Sequence, residues 1–460
     1  MAPGSQASVL AGIEKEPRTV SDRINLSLRR ADMIVFKTID EEGRRPVVHV
    51  AGRHAVALCP SCDRPAVTTN GTGWRDVIDV VRTVVVTLSI CVRRFVCEWE
   101  DCEQRTFDER FCGIARGGAS ERALSFFADL ARGRATRAVA RDLGVPEHYL
   151  RLAVGTKRAA ANERRRGRLG EHLAIDEASL KKGFIYATIF SDPERGVVID
   201  VGPGRDGAVV WAFAGLYSAE ERAKVRVVTM DCHAPYRYIV RLAFPNARIV
   251  ADAFHLHRQA NHALAEVRRA AWNRLRKQGG KAAGKVMKDA RYGLARARDE
   301  LVTDTSRRGV RQREAVEMAL AADDELARAY QLKEAFRAAM AIGRTGDVTL
   351  FTAALELFDA LCRGSGLKPF ATLARTLCTW RQEVVNYAAT SGASNGFAEA
   401  LNHLVKNQKR QAHGYRSWLG FRGQILWCFG EAVDPDTGEL VPLRSVPRGA
   451  GARFLQPSFA

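Results

Sequence analysis

HLAID (172–176), VRVVTMD (225–231) and ARIVAD (247–252) decide the fold of this 460-residue chain. Each is a short run rich in apolar and β-branched residues that breaks off at an acid: Asp176, Asp231 and Asp252. Apolar runs of this length without polar alternation predict strands buried on both faces. FIYATIFSD (184–192) and VVIDV (197–201) read as strands separated by Pro/Gly turns, so an antiparallel meander with 172–176 is expected. A helix is expected over roughly 207–216, and APYRYIVRLAF (234–244) is amphipathic at helical spacing.

The resulting order, β-β-β-α-β-α-β with an acid closing the first and fourth strands, is the arrangement of a ribonuclease-H-like domain. Strand ends on one edge of an open α/β sheet converge on a crevice where ligands collect. Carboxylates gathered there can hold Mg²⁺ with part of its water shell, and two such ions serve phosphoryl transfer. Asp252 occupies a strand-end position similar to that of Asp231 and competes with it for the same role. A third acid is still needed. SNGFAEALNHLVKNQKR (394–410) reads as a helix starting at Ser394 or Asn395. Glu399, Asn402/His403, Lys406 and Arg410 recur on one of its faces, an acid followed by phosphate-binding cations.

The N-terminal third carries different chemistry. Cys59-Pro60-Ser61-Cys62 and Cys97/Cys102 (CEWEDC) form two knuckles with 34 residues between them. Brought together by a hairpin, they supply four thiolates to one structural Zn²⁺, which predicts a zinc ribbon. VIDVV and TVVVTLSICVRRFVC are the strands, and GTGW (71–74) is expected to supply the turn. Cys91 and Cys112 stand near enough to substitute for a ligand. Residues 31–58 look like a preceding hairpin.

Between residues 111 and 171, thirteen Arg and Lys stand against six Asp and Glu. TRAVARDLGVPEHYLRLAVGTKR (136–158) has a helix-turn-helix pattern: Ala138, Val139 and Leu143, a Gly144 turn, and a second helix opening at Pro146. The second helix would lie in the major groove while nearby cations hold phosphates. The DNA-contact candidates are Arg137, Arg141, His148, Arg151, Lys157 and Arg158. Arg164, Arg165 and Arg166 form a basic linker, and Lys406, Lys409 and Arg410 follow on the late helix.

The whole chain agrees with that reading. Lys and Arg number 71 against 52 Asp and Glu, a net charge of +19, which points to a polyanionic partner. No apolar run approaches the ~20 residues that span a bilayer. The N-terminus has neither a basic nor an apolar leader region, so a cytoplasmic, nucleoid-associated location is expected. The ten cysteines do not suggest a disulfide framework there. No Ser/Tyr recombinase constellation is visible.

Taken together, CPSC…CEWEDC, the helix-turn-helix, IDE, VTMDCHAPYRYIVRLAFPNARIVADAFHLHRQAN and SNGFAEALNHLVKNQKRQAHGYRSWLGFR resemble bacterial insertion-sequence transposases of the DDE superfamily, in the group named ISL-three. The likeness covers almost the whole chain. It implies a catalytic, metal-binding triad of Asp176, Asp231 and Glu399, with Asp252 and His255 matching an accessory D-x-x-H string. Of the two readings of His255, a brace for the active-site backbone is favoured over a contact to the DNA end.

The resemblance also implies two Mg²⁺ or Mn²⁺ ions, double-stranded DNA as partner (terminal inverted repeats and target), and a homodimer or larger assembly on it. A multidomain α+β architecture follows: hairpin and zinc ribbon (1–112), helix-turn-helix with basic linker (113–170), and a ribonuclease-H-like core (171–252 and 391–430). An all-helical insertion (253–390) and a tail (431–460) complete it. The 147 residues from Asp252 to Glu399 are too many for a plain loop, and Gly279-Gly280 and 303–309 are its expected flexible points. Trp272 and Trp380 are expected in the core. The competing functions are a catalytically silent DNA-binding regulator and a nuclease of the same fold without strand transfer.

Overall fold

A computed structural model describes residues 32–114, 118–163, 167–181, 185–278, 310–411, 415, 417–433 and 440–442. It divides into two compact units, residues 1–157 and 158–460. Arg164–Arg166, Gly279-Gly280 and 303–309 lie outside the described residues.

The first unit begins with β1 (Met33–Ile39), β2 (Val47–Gly52), β3 (Ala57–Leu58), β4 (Pro65–Ala66), β5 (Thr69–Val81), β6 (Val84–Val96) and β7 (Thr106–Asp108). The main sheet runs β1-β2-β6-β5, with β7 on β6, and β3 pairs with β4. β1 and β2 form the expected hairpin, whereas β2 and β6 pair in parallel. Alternating inward residues of these strands, Val48, Val50, Val77, Val81, Val86, Leu88 and Ile90, make one core. GTGW does not turn. Residues 71–74 lie inside β5, and the chain reverses at Arg82-Thr83, where Arg82 adopts φ 56°. Pairing from Thr72↔Arg93 to Val81↔Val84 carries the ladder past the glycines and leaves the reversal to two polar residues.

Three helices follow: α1 (Glu121–Ala131), α2 (Thr136–Leu143) and α3 (Glu147–Glu163). Ser120 caps α1 by accepting from Ala123 N at 3.0 Å. The same hydroxyl and the Arg122 guanidinium bond Asp79, which is fully buried in β5. α2 ends at Gly144, whose left-handed φ of 63° lets the chain reverse at no Cβ cost. The unit boundary falls within α3.

In the second unit come β8 (His172–Lys181), β9 (Ile185–Asp192), β10 (Val197–Pro203), α4 (Gly207–Ala214), α5 (Ala219–Ala223), β11 (Val227–Met230), α6 (Ala234–Ala243) and β12 (Arg248–Ala251). They build a five-stranded sheet in the order β10-β9-β8-β11-β12. β8, β9 and β10 pair antiparallel as a meander, and β8, β11 and β12 are parallel. Short buried β11 (VVTM) is central to the parallel part, which its unalternating apolar run requires. Asp176 was expected to close the first strand, but β8 continues five residues past it. The antiparallel ladder with β9 persists to Lys181, whereas the parallel ladder with β11 stops at Ile175↔Met230.

The rest is helical: α7 (Ala253–Gln278), α8 (Val310–Ala321), α9 (Asp324–Gly343), α10 (Val348–Gly364), α11 (Lys368–Thr379), α12 (Arg381–Ala389), α13 (Gly396–Gln411) and α14 (Trp418–Phe429), then the β13 (Glu431–Val433) and β14 (Leu440–Pro442) pair. Asp323 and Asp347 cap α9 and α10. One buried cluster runs from Ile175, Val228 and Val250 of the sheet through Tyr236 and Val240 of α6 to Phe336, Phe351, Phe358 and Phe370. Trp380 belongs to it and Trp272 packs against it, as expected for core tryptophans.

A buried ion pair fastens helices to sheet layer. Glu383 of α12 accepts from Arg237 Nε and Arg241 Nη2 of α6, each at 2.8 Å, and Arg237 also lies 4.7 Å from the Trp380 ring centroid. Glu383→Ala is expected to lower the stability of the second unit by about 2 kcal/mol, because it removes a buried carboxylate that accepts from the part-buried Arg237 and the more exposed Arg241. Urea unfolding checks this, with a smaller loss for Glu383→Gln; an unchanged midpoint for the alanine variant would show the pair to be dispensable.

Candidate functional site

The three strand-end acids are set by register. Met230 pairs with Ile175 on one side and with Ala251 on the other. The next residues, Asp231, Asp176 and Asp252, therefore leave the parallel ladder on one rung. Asp176 and Asp252 are 4% and 1% exposed.

Charge at this rung is finely balanced. Asp176 Oδ1 accepts from Glu177 N at 2.7 Å, and Oδ2 accepts from Asn402 Nδ2 at 2.6 Å. Burial and the neighbouring Asp231 push its carboxyl up to about 8. His255, on the first turn of α7, places Nδ1 against Asp231 Oδ1 and 2.6 Å from Asp252 Oδ2. Burial alone would lower this imidazole, but hydrogen bonds to Asp231 and Asp252 raise it to about 10, so it stays protonated. Asp252 also accepts from the backbone N–H of Phe254, His255 and Asn395. His255 is thus a brace between two acids.

Donor atoms of Asp176, Asp231 and His255 lie within 4.8 Å of one another. Burial first, and the neighbouring Asp231 second, disfavour a charged Asp176, and a divalent cation at this rung would favour its ionised form. The oxygen donors suit a hard cation such as Mg²⁺ or Mn²⁺.

The late helix comes to this rung. α13 packs on β8. Asn395, 1% exposed, donates to Ile175 O and accepts from Thr229 Oγ1, both at 3.2 Å. Glu399 stands on α13 one turn before Asn402, on the same helix face; its side chain lies outside the described residues. Lys406 and Arg410 are exposed and Lys409 half-buried. Asn402 and His403, interchangeable by spacing, separate cleanly: Asn402 is buried on Asp176 and His403 is exposed. The roles of Asn395 and Asn402 were missed, since each reads as a cap or a polar helix residue until its distant partner is known. Glu177 is half-buried, with Oε1 3.7 Å from His233 Nδ1.

In the first unit Cys59, Cys62, Cys97 and Cys102 converge, with all four sulfurs within 4.8 Å. Cys59 Sγ to Cys102 Sγ and Cys62 Sγ to Cys97 Sγ are each 3.8 Å. A tetrahedron with metal–sulfur bonds of about 2.3 Å has edges of about 3.8 Å, so the set fits Zn²⁺. Cys91 and Cys112 are outside the cluster. Burial pushes the Cys59 thiol up, but the Ser61 and Cys62 backbone N–H groups bring it down to about 7. The Gln104 N–H favours the Cys102 thiolate, yet burial and the other three cysteines carry that thiol to about 12. Four ionised thiols need a cation among them.

Of the basic candidates, Arg137, Arg141, His148 and Arg151 are exposed on α2 and α3, Arg151 pairing with Glu147. Lys157 Nζ is 3.2 Å from Ser125 Oγ. Arg158 belongs to the second unit, where its Nε donates to Gln424 Oε1 at 2.7 Å and it lies 5.5 Å from the Tyr415 ring centroid. Burial lowers its pKa. Arg164, Arg165 and Arg166 lie outside the described residues.

The transposase family model of the DDE group ISL3 matches residues 173–425, from β8 through α14, and so includes all three candidate acids. The chain belongs to the ISL3 transposase family. It is 26% identical over 394 residues to the transposase for insertion sequence element IS1001 of Bordetella parapertussis, covering 85% of this chain and 93% of that one. Transposases for insertion sequence element IS1557 from two strains of Mycobacterium tuberculosis are 28% identical over 267 residues, 53% of this chain and 57% of theirs. Among the described residues of this ISL3 transposase, no helix is long and apolar enough to cross a membrane.

For the cysteine cluster, one zinc per chain is expected by inductively coupled plasma mass spectrometry, falling to a small fraction in Cys102→Ser. Equal zinc in the variant would remove Cys102 from the ligand set.

Proposed function

We propose that this ISL3 transposase binds the terminal inverted repeats of its insertion sequence and catalyses metal-dependent strand cleavage and strand transfer on a ribonuclease-H-like core. The observation that carries the proposal is the rung of three acids at the end of a parallel ladder, under the helix that bears Glu399. The meander followed by two parallel strands is the strand order of that fold class, with residues 171–252 and 391–430 as the core and 253–390 inserted between them.

Asp176, Asp231 and Glu399 are the proposed holders of two Mg²⁺ or Mn²⁺ ions. Bound there, the cations supply activation of the attacking oxygen and stabilisation of the leaving one. The chain's own residues prepare that place. Asp252 and His255 fix the Asp231 carboxylate from behind; the protonated imidazole offsets one negative charge without occupying the front of the rung. Burial around Asp176 and Asp252 excludes bulk water, so charge interactions there are stronger than at a surface.

DNA recognition is assigned to residues 1–170: a zinc ribbon held by the four cysteines, then a helix-turn-helix formed by α2 and α3 around Gly144. Arg137, Arg141, His148, Arg151 and Lys157 are its proposed contacts, with Arg164–Arg166 as a basic linker. Lys406, Lys409 and Arg410 are the proposed phosphate contacts beside the acids. Residues 431–460 are assigned to a C-terminal tail that opens with the β13–β14 pair. Two ends are handled together, which calls for a homodimer or larger assembly on DNA in the cytoplasm.

Purified protein incubated with its element ends and Mg²⁺ or Mn²⁺ is expected to nick at the element boundary and join 3′ ends to target DNA. Asp176→Ala, Asp231→Ala and Glu399→Ala are each expected to abolish both products while end binding in a gel shift persists. Full cleavage by any one of them would remove that acid from the triad. Cleavage without joined products would favour a nuclease.

A further inference from the structure

Asn402 is 7% exposed and faces the rung of acids. Its Nδ2 donates to Asp176 Oδ2 at 2.6 Å and to Glu177 O at 3.3 Å. The Glu177 carbonyl can only accept, so it takes an N–H of the amide and sets its orientation; turned over, Oδ1 would confront that carbonyl oxygen. In that orientation Oδ1 is buried with no donor among the described residues. A buried amide oxygen without a donor costs free energy, and native folds keep few of them.

Asn402 does not carry the docking of α13 by itself. Asn395, seven residues earlier, already joins the start of the helix to Ile175, Thr229 and Asp252. The amide of Asn402 is thus left to act on the strand that carries Asp176, through its carboxylate and through Glu177 O. Glu177 N holds one oxygen of that carboxylate and Asn402 the other, which fixes the rotation of the carboxylate plane.

We propose that Asn402 is a positioning residue for the metal site: its Nδ2 orients the Asp176 carboxylate toward a divalent cation, and its Oδ1 accepts a hydrogen bond from the hydrated cation. This rests on the reading of Asp176 as a metal ligand. It makes α13 contribute the Asn402 amide beside the strand that carries Asp176. Partners that orient metal ligands typically change metal affinity by 10- to 100-fold when removed.

The test uses the full-length chain and two readouts. Thermal melts with and without millimolar Mn²⁺ report binding independently of chemistry, and Mn²⁺ titration of end cleavage reports the working affinity. The wild type is expected to be stabilised by Mn²⁺, and Asp176→Ala is not. Asn402→Leu, of similar volume, is expected to lose most of the Mn²⁺-dependent stabilisation and to need about tenfold more metal for half-maximal cleavage. Asn402→Ala, which introduces no bulk, serves where Leu prevents folding. If the wild type gains no more stability from Mn²⁺ than Asp176→Ala does, the reading of Asp176 as a ligand fails. If the wild type responds and both Asn402 variants respond equally, the assignment of Asn402 alone is overturned.

Discussion

Three carboxylates leaving one rung of a parallel ladder is an arrangement that folding opposes. Asp176, Asp231 and Asp252 follow the paired residues Ile175, Met230 and Ala251, so their backbones are held one strand apart whatever their side chains prefer. At such spacing in a poorly hydrated place, like charges repel strongly. The chain answers with one imidazolium shared by Asp231 and Asp252, backbone N–H donors to Asp252, and a carboxyl at Asp176 held near neutrality. Sites where burial and like charge shift a carboxyl this far are candidates for function, since an ordinary core would have replaced the acid.

Much of this was legible in the residues. Apolar runs broken by an acid mark buried strands that end at a polar edge, and β11 and β12 stop within a residue of where their acids predict. The first strand misled in one respect. Its two sides differ in length, and a single sequence does not reveal that the β9 pairing outlasts the β11 pairing. The GTGW expectation failed for a related reason: glycines favour turns, but a ladder of cross-strand pairs from Thr72 to Val81 outweighs a local preference at two positions. The actual reversal at Arg82-Thr83 has none of the residues that favour positive φ.

Asn395, Asn402 and Arg158 share a different source of illegibility. Each is a polar residue whose value depends on a partner far away in sequence: Ile175 O, Asp176 and Gln424. Periodicity placed Asn402 within one residue of the correct face, yet could not separate it from His403. Arg158 counted as one cation among many in a basic stretch, whereas in the fold its guanidinium is half-buried beside Tyr415 and Gln424. Composition reports charge, and only the fold reports which charge is free.

The long excursion between Asp252 and Glu399 is less of a burden than its length suggests. Loop-closure entropy grows only logarithmically, so each doubling of length adds about 0.6 kcal/mol. The excursion also buries apolar surface of its own: Phe336, Phe351, Phe358 and Phe370 belong to one cluster that continues into the sheet. Glu383 then anchors α12 to α6 through two arginines, and Asn386 Nδ2 donates to Ile249 O of β12 at 2.8 Å. These contacts deliver the chain to residue 395 already alongside the strands that carry the acids. What remains is choice of register, and the amide of Asn395 makes it, since it bonds backbone or side-chain oxygens beside two of the acids and its own N–H reaches the third. A one-residue slip would cost all three bonds at once, so the start of α13 docks in a single setting against the acid-bearing strands.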